Sequence, residues 1–188
     1  MKIANSQRLT FQLMGPNDTN ALFELDQDPA VMRFINGGKP STMEEIETIM
    51  LPRMQSYTNA EKGWGIWKVT TLATELNCPS SYIGWILVRP MDFFSVAPKF
   101  HNLELGWRFK QMSWGKGYGT EAAKAVASTL VQQTDVTHLS AVADEDNIAS
   151  INIMKKLGMQ YTHRGDYSTP NGPVEVVYYQ MSASECGQ

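Results

Sequence analysis

Residues 103–122 read LELGWRFKQMSWGKGYGTEA, and their order of strand, glycine turn and helix carries the chemistry of the chain. The residues up to Phe109 follow a strand pattern, the glycines after it break that pattern, and Thr120-Glu121-Ala122 opens an amphipathic helix. Glycines let successive backbone N–H groups curl inward, and a helix start adds unpaired N–H groups with a partial positive charge. Such a turn suits a phosphate or pyrophosphate, and a glycine-rich connection without a ligand is the alternative.

Strand and helix patterns alternate along the rest of the chain. Alternating hydrophobicity predicts strands, and a period near 3.6 residues predicts helices. Residues 90–101 show neither pattern and are predicted to be irregular. The predicted strands cover 8–14, 63–70, 81–89, 102–109, 138–144, 159–167 and 174–181, and the predicted helices cover 21–35 with a break at Asp28-Pro29, then 42–50, 120–133 and 147–157. This order indicates an α+β fold.

Composition limits the partners that the chain can have. Of its 188 residues, 43% are hydrophobic, which is enough for one domain spanning 1–188, with residues 183–188 predicted to fray. A net charge of -3 without runs of Lys or Arg argues against direct binding of nucleic acid. No apolar run reaches about 20 residues and no signal peptide is evident, so we expect a cytoplasmic protein without a membrane partner.

Neither the cysteines nor the histidines are spaced as metal ligands. Cys78 and Cys186 form no ligand or disulfide pattern, and we expect both thiols to be free in a reducing compartment. His101, His138 and His163 are scattered along the chain. We therefore expect no metal cofactor.

Three motifs together resemble the GNAT superfamily of acetyltransferases. The glycine turn is not a Walker loop or a GxGxxG fingerprint. It is similar to the CoA-pyrophosphate motif Q/R-x-x-G-x-G/A, with Gly117 and Gly119 at the glycine positions and Trp114 where Gln or Arg is usual. WGKGYGTEA at 114–122 resembles the WGKGYATEA of the branch that contains the RimJ/RimL-type ribosomal-protein N-terminal acetyltransferases. NIAS with KKLGM at 147–159 looks like N-x-x-S…KLGF, and ELGW at 104–107 looks like ELGYW.

The resemblance implies a mixed, mostly antiparallel sheet with splayed central strands and helices on both faces. Acetyl-CoA is then the cosubstrate, with its pantetheine arm lying between strands 103–109 and 138–143. Asn147 would contact the cofactor or cap its own helix. The resemblance places Trp107, Arg108 and Phe109 along the arm, and Trp114, Gly115, Lys116, Gly117, Tyr118, Gly119 and Thr120 around the pyrophosphate.

Glu104 and Ser150 are the candidate catalytic residues. An amine is mostly protonated at neutral pH, so a base helps the attack, and the resembling branch often has a carboxylate at the position of Glu104. Ser150 matches the Ser of N-x-x-S and could hydrogen-bond the departing sulfur, since Met154 replaces the Tyr that many members have there. An outward-facing strand Glu and a Ser at a helix interface are the alternatives.

The resemblance favours transfer to a protein or peptide N-terminal α-amino group, by direct attack in a ternary complex. A small amine, such as an amino acid, polyamine or aminoglycoside, is one alternative acceptor, and a CoA-binding module that has lost catalysis is another reading. Residues 18–57 would form the acceptor wall, and no charge cluster in their sequence names a substrate. The final strands could pair two copies into a homodimer.

Overall fold

A computed structural model describes residues 1–73, 80–170 and 172–186 of the chain, so Cys78, which was expected to be a free thiol, lies outside the described residues. Seven strands form one sheet in the order β1-β2-β3-β4-β5-β7-β6. The strands are β1 (Leu9–Leu13), β2 (Gly65–Thr71), β3 (Tyr82–Met91), β4 (Lys99–Phe109), β5 (His138–Ala143), β6 (Gln160–Thr169) and β7 (Gly172–Ser182).

Neighbouring strands are antiparallel except β4 and β5, which are parallel. The sheet is therefore mixed and mostly antiparallel, as predicted. One difference lies in the segment 90–101, which was predicted to be irregular. The β3–β4 ladder continues to a pair between Met91 and Lys99, so only the residues between these two form a loop.

The helices are α1 (Thr19–Leu25), α2 (Pro29–Asn36), α3 (Met43–Glu45), α4 (Leu51–Tyr57), α5 (Tyr118–Gln133) and α6 (Ile148–Leu157). A π-helical turn, Ile46–Met50, joins α3 to α4. A capping box begins α3: the Thr42 hydroxyl accepts the Glu45 N–H, and the Glu45 carboxylate accepts the Thr42 N–H.

Helices cover both faces of the sheet, which confirms the predicted layers. The first face packs against α5 and α6 through buried residues such as Val126 and Met154. The second face packs against α1–α4 through residues such as Leu25 and Met54. Because side chains alternate along a strand, β4 directs Leu105 to the first face and Glu104 to the second.

Part of the C-terminal segment forms a turn. Residues 183–188 were predicted to fray; of these the structure describes 183–186, and Ala183–Glu185 form a 3-10 turn. The Glu185 carboxylate accepts the Ser182 N–H, and Ala183 packs against the core of the first face, so local bonds and burial hold the turn. Among the described helices, none combines the length and the apolar character needed to cross a membrane.

Candidate active site

A gap opens between β4 and β5 because their ladder is short. The two strands pair only at Asn102–Glu104 and His138–Ser140. Beyond that point β4 pairs with β3 up to Phe109, and β5 pairs with β7 up to Ala143, so the facing edges separate while each strand stays in the sheet. This is the predicted splay of the central strands. Its unpaired backbone groups can bond an extended ligand that carries amides.

The wide end of the gap leads to the glycine turn and the start of α5. Gly117 is the N-cap residue of α5 with φ +80°, a left-handed conformation that suits glycine. Within the described chain no side chain caps this helix, so its first N–H groups remain for a ligand. Lys116 and Trp114 are exposed beside the turn, and Tyr118 is buried beneath it. The geometry suits an anion.

Gly119 is needed for a different reason. A Cβ at this position would lie 3.0 Å from Ile153 Cδ1 of α6 and 3.5 Å from Phe109 Cε2 of β4. The missing side chain therefore allows the start of α5 to pack closely on α6 and β4. Thr120 follows it, half-buried, in the first turn of α5.

Arg8, just before β1, braces the turn and was missed in the sequence. Its Nη1 donates to the Lys116 carbonyl at 3.1 Å, its Nη2 lies 2.7 Å from Glu121 Oε2, and its guanidinium carbon lies 4.4 Å from the centre of the Tyr118 ring. The Glu121 carboxylate also accepts from the Ser6 hydroxyl at 2.7 Å. Nothing in the local sequence around Arg8 indicates this contact, because its partners lie more than 100 residues away.

The start of α6 lies against the gap from the side of β5. Asn147 caps the helix, since its Oδ1 accepts the Ser150 N–H at 3.1 Å. The Ser150 hydroxyl in turn accepts a hydrogen bond from Trp107 Nε1 of β4 at 3.0 Å. Because the oxygen accepts from the indole, the hydroxyl hydrogen is left to donate elsewhere. Met154, further along α6, is fully buried in the core.

Glu104 lies at the point where the β4–β5 ladder ends, and it is not outward-facing. Only 4% of the residue is exposed. Its Oε2 accepts from Arg89 Nε at 2.9 Å, and its Oε1 accepts from the Tyr167 hydroxyl at 2.5 Å and from Arg89 Nη2 at 3.3 Å. These bonds use three of about four acceptor sites on the carboxylate, so one is left for a water or a substrate.

Arg89 and Tyr167 are site residues that the sequence reasoning missed. Burial is the largest single effect and opposes the charge of Arg89, but Glu104, Tyr167 and Tyr57 together outweigh it and raise the pKa of the guanidinium. Burial, and then the negative charge of Glu104, raises the pKa of Tyr167, so its phenol stays protonated and donates. A single arginine in the otherwise apolar strand β3 was a signal that could have been noticed, whereas Tyr167 on β6 gave none.

The three predicted residues of β4 face in different directions. Trp107 and Phe109 lie on the first face, and Phe109 is buried in its core. The Arg108 side chain lies on the second face, where it pairs with Asp26 and lies 5.0 Å from the Trp85 ring. Only the backbone of Arg108 therefore borders the gap. Asp26 is 1% exposed and also accepts from the Ser41 hydroxyl, so this pair fastens the end of α1 to the splayed strand.

The three histidines lie apart from one another and form no common site. His101 lies beside Asp135, His138 contacts its neighbour Thr137, and His163 stacks on Tyr178. In residues 1–73, 80–170 and 172–186, no group of three His, Cys, Asp or Glu side chains could hold a metal ion.

Comparison with known proteins gives the same fold and chemistry. The family model described as an acetyltransferase (GNAT) domain matches residues 8–160. An uncharacterised N-acetyltransferase of Bacillus subtilis, YnaD, is 27% identical over 155 residues, which cover 82% of this chain and 81% of that protein. The FsC-acetyl coenzyme A-N(2)-transacetylase of Aspergillus fumigatus is 24% identical over 187 residues, covering 96% of this chain and 76% of that protein.

Solved structures share the fold at low identity. A GNAT-family acetyltransferase from Bacillus anthracis superposes with a TM-score of 0.73 at 22% identity and covers 98% of this chain and 100% of its own. Two structures in complex with coenzyme A are also similar. RimL, a ribosomal L7/L12 α-N-protein acetyltransferase, has a TM-score of 0.71 at 12% identity, with 97% and 98% covered. The aminoglycoside acetyltransferase AAC(6')-Ib has a TM-score of 0.68 at 19% identity, with 93% and 94% covered.

Proposed function

Because the chain belongs to the GNAT acetyltransferase family and uses acetyl-CoA as its acetyl donor, we propose that it acetylates the N-terminal α-amino group of a protein or peptide. Support for this acceptor comes from the turn at 114–122, whose sequence resembles the RimJ/RimL branch. The likeness to RimL is a likeness of fold. A small amine is the rival acceptor.

The described residues fit acetyl-CoA, which supplies a thioester-bound acetyl group. The N–H groups from Gly115 to Thr120 would bind its pyrophosphate, because α5 has no side-chain cap and its N-terminus carries partial positive charge. The backbone of β4 beyond Glu104 would bond the pantetheine amides in the gap. Trp107 and Asn147 border that gap from opposite sides.

Glu104 is proposed as the base that accepts a proton from the attacking amine, through one water. It lies at the narrow end of the gap, where the acetyl group would be delivered. Arg89 and Tyr167 fix the orientation of its carboxylate and leave one acceptor site open. The amine nitrogen then bonds the acetyl carbon, the carbon–sulfur bond breaks, and the amine proton passes to Glu104.

Ser150 is proposed to donate its hydroxyl hydrogen to the departing sulfur. Trp107 Nε1 donates a hydrogen bond to the Ser150 hydroxyl oxygen, so the hydroxyl hydrogen points away from the indole. A thiol with a pKa near 8.5 leaves readily as a thiolate, so one such hydrogen bond is sufficient help.

The observation that carries the proposal is the buried Glu104 carboxylate, which accepts three hydrogen bonds at the end of the β4–β5 ladder. The test is mass spectrometry of peptides and small amines incubated with the protein and acetyl-CoA. We expect acetylation of a peptide with a free N-terminus and none of the same peptide with a blocked N-terminus and a free lysine. Acetylation of polyamines or kanamycin alone would favour the small-amine acceptor, and acetyl-CoA binding without any transfer would favour a binding module.

Three further predictions accompany this function. We propose that residues 1–188 act as a single GNAT domain, that the protein is cytoplasmic, and that it pairs as a homodimer. The support for the dimer is that β6 is an edge strand whose side chains are largely exposed. Sedimentation of the purified protein over a range of concentrations tests the dimer.

A further inference from the structure

Arg53 on α4 is a half-buried cation without a counter-charge. Its guanidinium carbon lies 3.7 Å from the centre of the Phe94 ring. Among the residues that the structure describes, no carboxylate lies within ion-pair distance of it. Burial, and then repulsion by Arg89, lowers the pKa of Arg53 from its ordinary value. The fold therefore holds a positive charge where the surrounding protein does not compensate it.

Arg53 belongs to the same cluster as the proposed base. The Arg89 guanidinium carbon lies 5.4 Å from the Phe94 ring centre and 5.5 Å from the Tyr57 ring centre. Both guanidinium groups therefore lie close to Phe94, and Arg89 in turn binds Glu104. The charge of Arg89 is balanced by Glu104, so Arg53 gives this cluster an excess of one positive charge.

This excess charge lies on the route of the acceptor. Glu104 and Arg89 are on the second face of the sheet, and α4 covers that face. An amine that gives its proton to Glu104 must come close to this cluster. A polycation such as a polyamine or an aminoglycoside would bring further positive charge beside Arg53, and the repulsion would be strong in a partly buried site.

We propose that the acceptor carries a carboxylate near its reacting amine, and that Arg53 binds this carboxylate. The inference rests on the proposed function, because it uses Glu104 as the place of reaction. Arginine binds carboxylates through two parallel hydrogen bonds, and stacking on Phe94 holds the guanidinium plane in place. The carboxylate is either that of a free amino acid or that of an acidic side chain next to a peptide N-terminus.

The experiment compares acceptors with and without this carboxylate. The pairs are alanine with alaninamide, and a peptide beginning Ser-Asp with the same peptide beginning Ser-Asn. In one of the two pairs, we expect kcat/KM to be at least about 10-fold higher for the acceptor that has the carboxylate. The pair that shows this difference identifies the source of the carboxylate. In Arg53→Gln the KM for that acceptor should rise about 10- to 100-fold, while kcat and the Kd for acetyl-CoA stay within about 2-fold.

A matched control separates this effect from a general loss of surface charge. Lys62, in the segment between α4 and β2, is an exposed cation that also lies over a ring, since its Nζ lies 4.7 Å from the Trp64 ring centre. Lys62→Gln should leave every KM unchanged. If acceptors without the carboxylate, or polycationic amines, react as well as those with it, and Arg53→Gln changes no KM, the inference is overturned while the acetyltransferase function stands. Absence of transfer to any amine would overturn both.

Discussion

Replacement of Glu104 by Gln keeps the shape of the side chain and removes the charge that Arg89 faces. The Glu104 side chain is 5% exposed and that of Arg89 is 12% exposed, so the pair is buried. Removing one partner of a buried pair costs about 3–5 kcal/mol, because the other charge is left without compensation. At about 2–4 °C for each kcal/mol in a chain of this size, the Tm should fall by about 6–20 °C.

The same change should reduce catalysis for a separate reason. Without a base, the amine must lose its proton to water, and kcat per folded enzyme at pH 7 should fall by about 10²-fold or more. Amines of this kind have pKa values of about 8 to 10, so raising the pH supplies more neutral amine and should partly restore the rate of the variant. Binding of acetyl-CoA should stay nearly unchanged.

The double variant Glu104→Gln, Arg89→Gln separates stability from catalysis. It removes both charges, so part of the lost Tm should return, because no buried charge is left without compensation. Its kcat should stay low. The assay combines calorimetric melting with initial rates from pH 6 to about 10. Full turnover of folded Glu104→Gln at pH 7, or no rise in its rate with pH, would refute Glu104 as the base.

Three other changes test the neighbouring parts of the site. Gly117→Val forces a β-branched residue into φ +80° and should weaken acetyl-CoA binding about 10-fold or more by calorimetry, whereas Gly158→Val, at φ +93° after α6, should cost stability and keep the affinity. Equal affinities would remove the pyrophosphate assignment. Ser150→Ala should lower kcat by about 10- to 10²-fold with little change in KM. As a control, Trp107→Phe should change kcat only a few-fold. Full turnover of Ser150→Ala would mean that the thiolate leaves unaided. Burial would raise the pKa of Glu121, but bonds from Ser6 and the charge of Arg8 lower it below 4.5, so its stabilisation is present above about pH 4.5 and is lost as the pH falls. Glu121→Gln should therefore flatten the acid side of the Tm-against-pH curve, and an unchanged curve would contradict this.

Local chemistry in the sequence predicted most of the fold. Strand and helix periods and the glycine turn before α5 depend on residues a few positions apart, and the structure has these elements close to where they were predicted. The splay between β4 and β5 came from the resemblance, and the short ladder confirms it. The β3–β4 loop was predicted too long, since the end of a ladder depends on the partner strand and not on its own pattern.

The surroundings of the site depend on contacts between residues that are far apart in the sequence. Arg89 faces Glu104 because β3 and β4 pair in that register, and Tyr167 reaches them from β6 at the far edge of the sheet. Arg53 joins them through Phe94, although the sequence of residues 18–57 showed no charge cluster. A sequence pattern reports which neighbours along the chain share a face. The pairing of distant charges depends on strand register and helix packing, which no local period encodes.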